Sequence, residues 1–295
     1  MLYSFIKEES MLNLNTRKNF NLFKDPFTDD VMAASDVYLN ENARFAEEYL
    51  YITAKIGGML ALIGESGSGK TTIRRLALDR IQNEGLKIRV VNPRIIDKGR
   101  LTASLICDAI IADCSSETPR RTLEAKARQV ERILTNSSRS GYSHVLMIEE
   151  AHDLSIQTLK YLKRFWEMED GFKKLLAIVL IGQPEMKGKL DEARNWEARE
   201  IIRRMEVLEL DPLSNGKEIA AYLDVKFRRL DRNRKDIFAD DACEALARRL
   251  LVQARNDVVY SVAYPLLINN WARRAMNLAA SMKVKLVDAQ VVNSL

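Results

Sequence analysis

No stretch of this 295-residue sequence is apolar for long enough to cross a membrane. The first residues carry Lys7-Glu8-Glu9 where a secretory leader needs its apolar centre, so no leader is expected. Histidine is scarce. His144 and His152 are too few and too poorly placed to build a metal centre. The three cysteines, Cys107, Cys114 and Cys243, show no metal spacing and have apolar or helical neighbours. They are expected as reduced core residues of a cytoplasmic protein. Internal repeats and low-complexity tracts are absent. Aromatic residues make up 7% of the chain and seldom interleave with basic ones, which disfavours single-strand binding by base stacking. What remains is a chain that is 47% hydrophobic and large enough for one large or two modest domains. Its net charge of +5 leans towards an anionic partner.

One segment dominates what is present. Gly64-Glu65-Ser66-Gly67-Ser68-Gly69-Lys70-Thr71 fits the phosphate-loop pattern G-x-x-x-x-G-K-[ST] at every fixed position. The apolar run Met59–Ile63 precedes it and a helical pattern from Thr72 follows, so the strand–loop–helix context is complete. Glycines let backbone N–H groups curl around phosphate oxygens, and the helix N-terminus adds favourable partial charge. Lys70 is expected to reach the β- and γ-phosphates, and the Thr71 hydroxyl to sit on Mg²⁺. Gly64 to Thr72 form the candidate nucleotide-binding stretch, for ATP or GTP.

The surrounding pattern alternates strands and helices. Residues 1–19 look flexible. An aromatic segment, Phe20 to Phe27, should pack on something. A helix is expected from Asn40 to about Lys55, and strands at 59–63, 87–92, 145–148, 175–181 and 206–210. Helices are expected at 72–83, 102–112 and 155–168, with a basic one opened by Thr118-Pro119 and running to about Leu134. This argues for an α/β fold: a parallel sheet with helices on both faces, spanning 20–213. From Asn215 the pattern is helical, giving a smaller all-α lid over 214–295.

The end of the third strand supplies the second half of a nucleotide site. Glu149 and Glu150 follow the apolar run Val145–Ile148, at the sheet edge where parallel folds bind ligands. Glu149 is the candidate Mg²⁺ carboxylate, acting through water, and Glu150 the general base for the attacking water. Gln183 ends the fourth strand and either orients that water, senses the γ-phosphate or simply turns the chain before Pro184. Arg203 and Arg204, on a charged helix, either enter a neighbouring subunit's site or form a solvated face.

With these motifs assembled, the chain resembles the AAA+ ATPases. Asp25-Pro26-Phe27, Glu149-Glu150-Ala151-His152, Ile181-Gly182-Gln183-Pro184-Glu185 and Pro265-Leu266-Leu267-Ile268-Asn269 resemble the transposition and secretion subgroup. That subgroup holds the phage Mu B protein, TnsC, TniB and the ExeA-type ATPases. Three features depart from its pattern. Glu149 stands where aspartate is usual, and Leu266 where relatives often carry a lid sensor arginine, a role Arg255 could take. There is also no room for the DNA-binding domain that precedes the ATPase in the Mu protein. ExeA-like proteins continue into a membrane span and a cell-wall-binding domain, which this sequence lacks, and that tilts the expectation to transposition.

The resemblance implies an ATP- and Mg²⁺-dependent ATPase of a bacterial or phage-infected cytoplasm. It would assemble as a ring or helical homo-oligomer on double-stranded DNA, largely without sequence preference, and recruit or activate a transposase. Phe27, with Phe23, Pro26 and Tyr38, either covers the adenine or packs the N-terminal segment on the sheet. The DNA candidates are Arg94, Lys98 and Arg100 after the second strand, with Arg120, Arg121, Lys126, Arg128 and Arg132 on or before the basic helix. An ordinary solvated face is the alternative for the last group. A lid cluster, Arg228, Arg229, Arg232 and Arg234, ranks lower. The rivals are a helicase-loader-type DNA ATPase, a P-loop small-molecule kinase and a nucleotide-gated scaffold without nucleic acid.

Overall fold

The computed structural model of the protein describes residues 11–28, 31–253 and 258–295. Among these, in chain order, α1 (Leu14–Asn19) and α2 (Glu41–Ile56) precede β1 (Met59–Ile63) and α3 (Lys70–Asn83). Next come β2 (Ile88–Val91), α4 (Ala103–Cys114), α5 (Leu123–Arg139), β3 (Ser143–Ile148) and α6 (Ile156–Trp166). A hairpin of β4 (Glu169–Asp170) and β5 (Lys173–Lys174) leads to β6 (Ala177–Gly182), the single turns α7 (Met186–Lys189) and α8 (Arg199–Ile202), and β7 (Glu206–Glu209). The remainder is α9 (Gly216–Arg228), α10 (Asp240–Arg249), a hairpin of β8 (Leu251–Gln253) and β9 (Val259–Ser261), α11 (Pro265–Ser281) and α12 (Ala289–Asn293). No helix among the described residues is long and apolar enough to cross a membrane.

The five main strands form one parallel sheet in the order β2-β3-β6-β1-β7. β1 and β6 are buried at every position and β3 at every position after Ser143, as strands covered on both faces must be. Helices lie on both sides, as the alternating pattern implies. The register puts Ile63 of β1 beside Gly182 of β6, and Ile148 of β3 beside Leu180 of β6. The chain segments leaving β1, β6 and β3 therefore emerge at one edge.

Contacts divide the chain into two compact units. The first comprises Ala43–Glu65 and Lys70–Leu210 and contains this sheet. The second comprises the N-terminal residues through Asn42, the loop tip Ser66–Gly69 and Asp211–Leu295. Its core joins Phe227, Phe238, Leu246, Ile268 and Met276 to Leu12, Phe20, Leu22 and Phe27. The aromatic N-terminal segment thus packs against C-terminal helices rather than on the sheet.

Several local readings change. Within the stretch expected to be flexible, α1 is capped by Asn13, whose side chain accepts from Thr16 N, and Leu12 is buried. Residues 1–10 lie outside the described residues. Helix α5 begins at Leu123 rather than at Pro119, because Thr122 is the cap, accepting from Ala125 N. The 115–122 segment stays non-helical, tied back by Gln129, which accepts from Arg120 N and donates to Thr118 O. The two small hairpins escaped the sequence reading.

Candidate nucleotide and DNA sites

The phosphate loop closes between β1 and α3. Gly67 and Gly69 have φ of +76° and +101°, a region that side chains with a Cβ rarely enter. Lys70 opens α3 and its ammonium folds back on the loop, donating to Gly64 O at 2.6 Å and Glu65 O at 2.7 Å. Burial lowers the Lys70 pKa, while the carboxylates of Glu150, Glu65 and Glu185 oppose that shift. Ser68 Oγ is buried without a hydrogen-bond partner, an orphan that a phosphate oxygen would satisfy. Thr71 is exposed at the first turn of α3. Ser66 and Glu65 are exposed, and Thr72 is half-buried. Within the second unit, Leu266 N donates to Gly67 O at 3.3 Å. A Cβ on Gly67 would lie 2.3 Å from that of Leu266, so this contact requires glycine.

The carboxylates diverge. Glu149 turns to α3, where Arg74 Nε lies 3.0 Å from its Oε1. Glu150 takes a left-handed conformation, φ +52° and ψ +38°, and its side chain is exposed. His152 Nδ1 lies 3.5 Å from Glu150 Oε2 and accepts from Gln183 N at 3.4 Å, so His152 links the ends of β3 and β6. Gln183 follows β6, which lies between β1 and β3 in the sheet, and is half-buried. Gly182 permits this approach: a Cβ there would lie 3.1 Å from His152 N. Arg74 does not stand out from sequence, and Gly182 does so only as part of the 181–185 motif, without a structural role. Arg74 lies one helical turn past Lys70, a spacing that would have flagged it.

The donor set suits Mg²⁺. Thr71 and Glu149 are hard oxygen donors, and Mg²⁺ is commonly held by a carboxylate, substrate phosphates and water. No group of three or more His, Cys, Asp or Glu among the described residues offers an all-protein cage.

Other candidates move. Phe27 is 2% exposed, in the helical core, edge-on to Phe227 at 6.0 Å, with Arg273 stacked 5.6 Å from its ring centroid. No ring face is left to cover an adenine, so Phe27 is a packing residue. Lys126 is 8% exposed, with its Nζ 2.6 Å from Asp108 Oδ1 and donating to Ser104 Oγ. Its charge is already matched, so it is not a phosphate contact. Lys98 donates to Pro93 O at 2.7 Å. Burial lowers its pKa, against the opposing pull of Glu149 and Glu150, and Lys98 is half-buried.

Arg132 pairs with Glu117, and the exposed Arg100 with Asp97. Arg94, Arg120, Arg121 and Arg128 are exposed and make no salt bridge among the described residues. The pair Lys126–Asp108 sets the first turn of α5 beside the first turns of α4, just after the 94–101 loop. In the helical unit Arg234 is buried between Asp224 and Asp240, Arg229 lies near Asp36, and Arg232 reaches Phe20 O. Arg229, Arg232 and Arg234 are thus engaged within the unit, and Arg228 is exposed.

Arg203 and Arg204 follow the single turn α8 rather than riding a long helix. Arg203 is paired with Glu192, and Arg204 contacts Glu200 O and lies 5.8 Å from the Trp166 ring centroid.

Residues 54–190 match the family model described as an AAA domain. A crystal structure of Cdc6p from Pyrobaculum aerophilum superposes with a TM-score of 0.59 at 14% identity, covering 90% of this chain and 68% of that one. The fold is the AAA+ P-loop fold. Drosophila ORC bound to DNA shares it, with a TM-score of 0.59 at 17% identity over 95% of this chain and 64% of that one. General secretion pathway protein A of Aeromonas hydrophila is 30% identical over 213 residues. The match covers 71% of this chain and 36% of that protein, so the chain spans little more than a third of that relative's length. The segments leaving β1, β6 and β3 carry residues 64–71, Gln183 and Glu149-Glu150.

Proposed function

We propose that this protein is an ATP-dependent, DNA-binding AAA+ ATPase that assembles on duplex DNA and, in its finer role, recruits or activates a transposase. The observation that carries the DNA part is the set of exposed, unbridged arginines, Arg94, Arg120, Arg121 and Arg128, on the unit that contains the parallel sheet and Lys70. Phosphate contacts from such side chains give affinity without sequence readout. The shared fold with Drosophila ORC bound to DNA is compatible with it.

In the nucleotide site, loop amides and Lys70 bind the β- and γ-phosphates. To do so Lys70 leaves the carbonyls of Gly64 and Glu65. Thr71 and Glu149 would hold Mg²⁺, which would supply neutralisation of charge on the phosphates. Glu150 accepts the proton of the attacking water, and Gln183 orients that water. Arg203, once released from Glu192, or Arg204 serves a neighbouring subunit's site. ATP favours assembly and hydrolysis favours release, as in a cytoplasmic switch.

A second reading, a protein-directed ATPase acting in secretion, is favoured by the 30% match to General secretion pathway protein A. Imaging separates the two. Mixed with random-sequence duplex and a slowly hydrolysed ATP analogue, the protein is expected to form rings or filaments on the DNA, and none with ADP. Assembly that ignores DNA would favour the secretion reading. A transposase pulled down only from DNA-bound, ATP-loaded assemblies would support the finer role.

Substitutions sort the arginines from Lys126. Arg121→Ala and Arg128→Ala are each expected to lower the salt slope of duplex binding by about 1. Lys126→Ala is expected to leave that slope unchanged and to cost about 2 kcal/mol of stability by stranding Asp108. Salt titrations and urea unfolding check both.

A further inference from the structure

Glu149 has one salt-bridge partner among the described residues, Arg74, and no side-chain hydrogen bond. The two side chains are 19% and 31% exposed, so the pair is partly shielded from water. Arg74 sits one turn beyond Lys70 on α3, the helix whose first residues take the phosphates. Residues four apart on a helix share a face, so Arg74 lies on the same side of α3 as Lys70. Glu149 meets Arg74 from just past the end of β3. Its extra methylene carries the carboxylate past the reach of an aspartate, and Arg74 stands where that longer side chain ends.

We propose that Arg74 is a positioning residue that holds Glu149 for the metal shell. The proposal rests on the nucleotide-site reading above. Arg74 Nε lies 3.0 Å from Oε1 as an ion pair without an aligned hydrogen bond, so the charge of Arg74 rather than a directed bond would hold the carboxylate. A free glutamate would spread over several rotamers, and fixing it removes that entropy cost from metal binding. Arg74 touches neither nucleotide nor metal in this account and acts only through Glu149.

The alternative is a brace that ties α3 to β3 with no bearing on the metal. Titration of a fluorescent ATP analogue separates the two, carried out with excess EDTA and across a Mg²⁺ series. The proteins compared are wild type, Arg74→Ala, Arg74→Lys, Glu149→Asp and the double variant Arg74→Ala/Glu149→Asp. Arg74→Ala is expected to bind the analogue in EDTA as wild type does, but to need about 10-fold more Mg²⁺ for half-maximal enhancement. Arg74→Lys keeps the charge and is expected to recover part of that loss. Glu149→Asp is expected to show a similar loss, because the shorter chain cannot meet Arg74. The double variant is expected to be no worse than either single change, the signature of a coupled pair.

An unchanged Mg²⁺ requirement in Arg74→Ala would overturn the proposal. So would losses that simply add in the double variant, or an equal loss of affinity in EDTA, which marks a brace. Failure of the wild type itself to bind the analogue would remove the nucleotide-site reading, a result that needs no variant to see.

Discussion

Glu150→Gln is expected to lower the rate of ATP hydrolysis by about 10²-fold or more, with nucleotide still bound. Glutamine keeps the shape of glutamate but cannot take a proton from water. The backbone singles this residue out. Glu150 has φ +52°, and a non-glycine residue held in that region costs about 1 kcal/mol or more. The following turn holds it there, with Asp153 N donating to Glu150 O at 3.1 Å. The result is a carboxylate turned away from the strand axis, exposed beside His152, in the electrostatic field of Lys70. Glu149→Gln should behave differently, with its main effect on the Mg²⁺ requirement. Steady-state turnover measured beside analogue binding checks the pair. Wild-type turnover in Glu150→Gln would take the residue out of the proposed chemistry.

Arg273→Ala is expected to destabilise the helical unit by about 3 kcal/mol. Arg273 Nε lies 3.1 Å from Asp25 Oδ2, its Nη2 donates to Phe27 O at 2.8 Å, and its guanidinium stacks on the Phe27 ring. Asp25 is 8% exposed, and its remaining partners are the amides of Leu12 and Phe27. Removing the arginine leaves a buried carboxylate facing two neutral donors. At an m-value of about 3 kcal/mol/M for urea, the midpoint should fall by about 1 M. The double change Arg273→Ala/Asp25→Ala should recover part of the loss, because no unpaired charge is then buried. A midpoint within error of wild type would contradict this account of Asp25-Pro26-Phe27.

That motif shows where sequence stopped being informative. Its residues were legible as a resemblance, but their partners, Phe227 and Arg273, lie some two hundred positions away. An aromatic near a nucleotide motif reads equally as ring cover or as core, and only tertiary packing decides between them. Lys126 misled for a similar reason. Its charge reads as surface, while Asp108, on the preceding helix, draws it inside. The strand–loop–helix setting of residues 64–71 and the turn at Glu149-Glu150 are legible because their signals are local: fixed spacing, with a strand before each. β1, β3 and β6 were legible because strands buried on both faces leave continuous apolar runs. The start of α5 was misplaced because Pro119 and Thr122 both signal a helix N-terminus, and the side-chain cap won. Two-residue strands such as β4 and β5 leave no periodicity to read.

The most direct test of the central claim is fluorescence anisotropy of a random-sequence duplex, with ATP, a slowly hydrolysed analogue, ADP or no nucleotide, across a salt series. The account predicts tight, cooperative binding with the triphosphates alone, falling steeply as salt rises. Binding indifferent to nucleotide, or absent where ATP itself is bound, would contradict it.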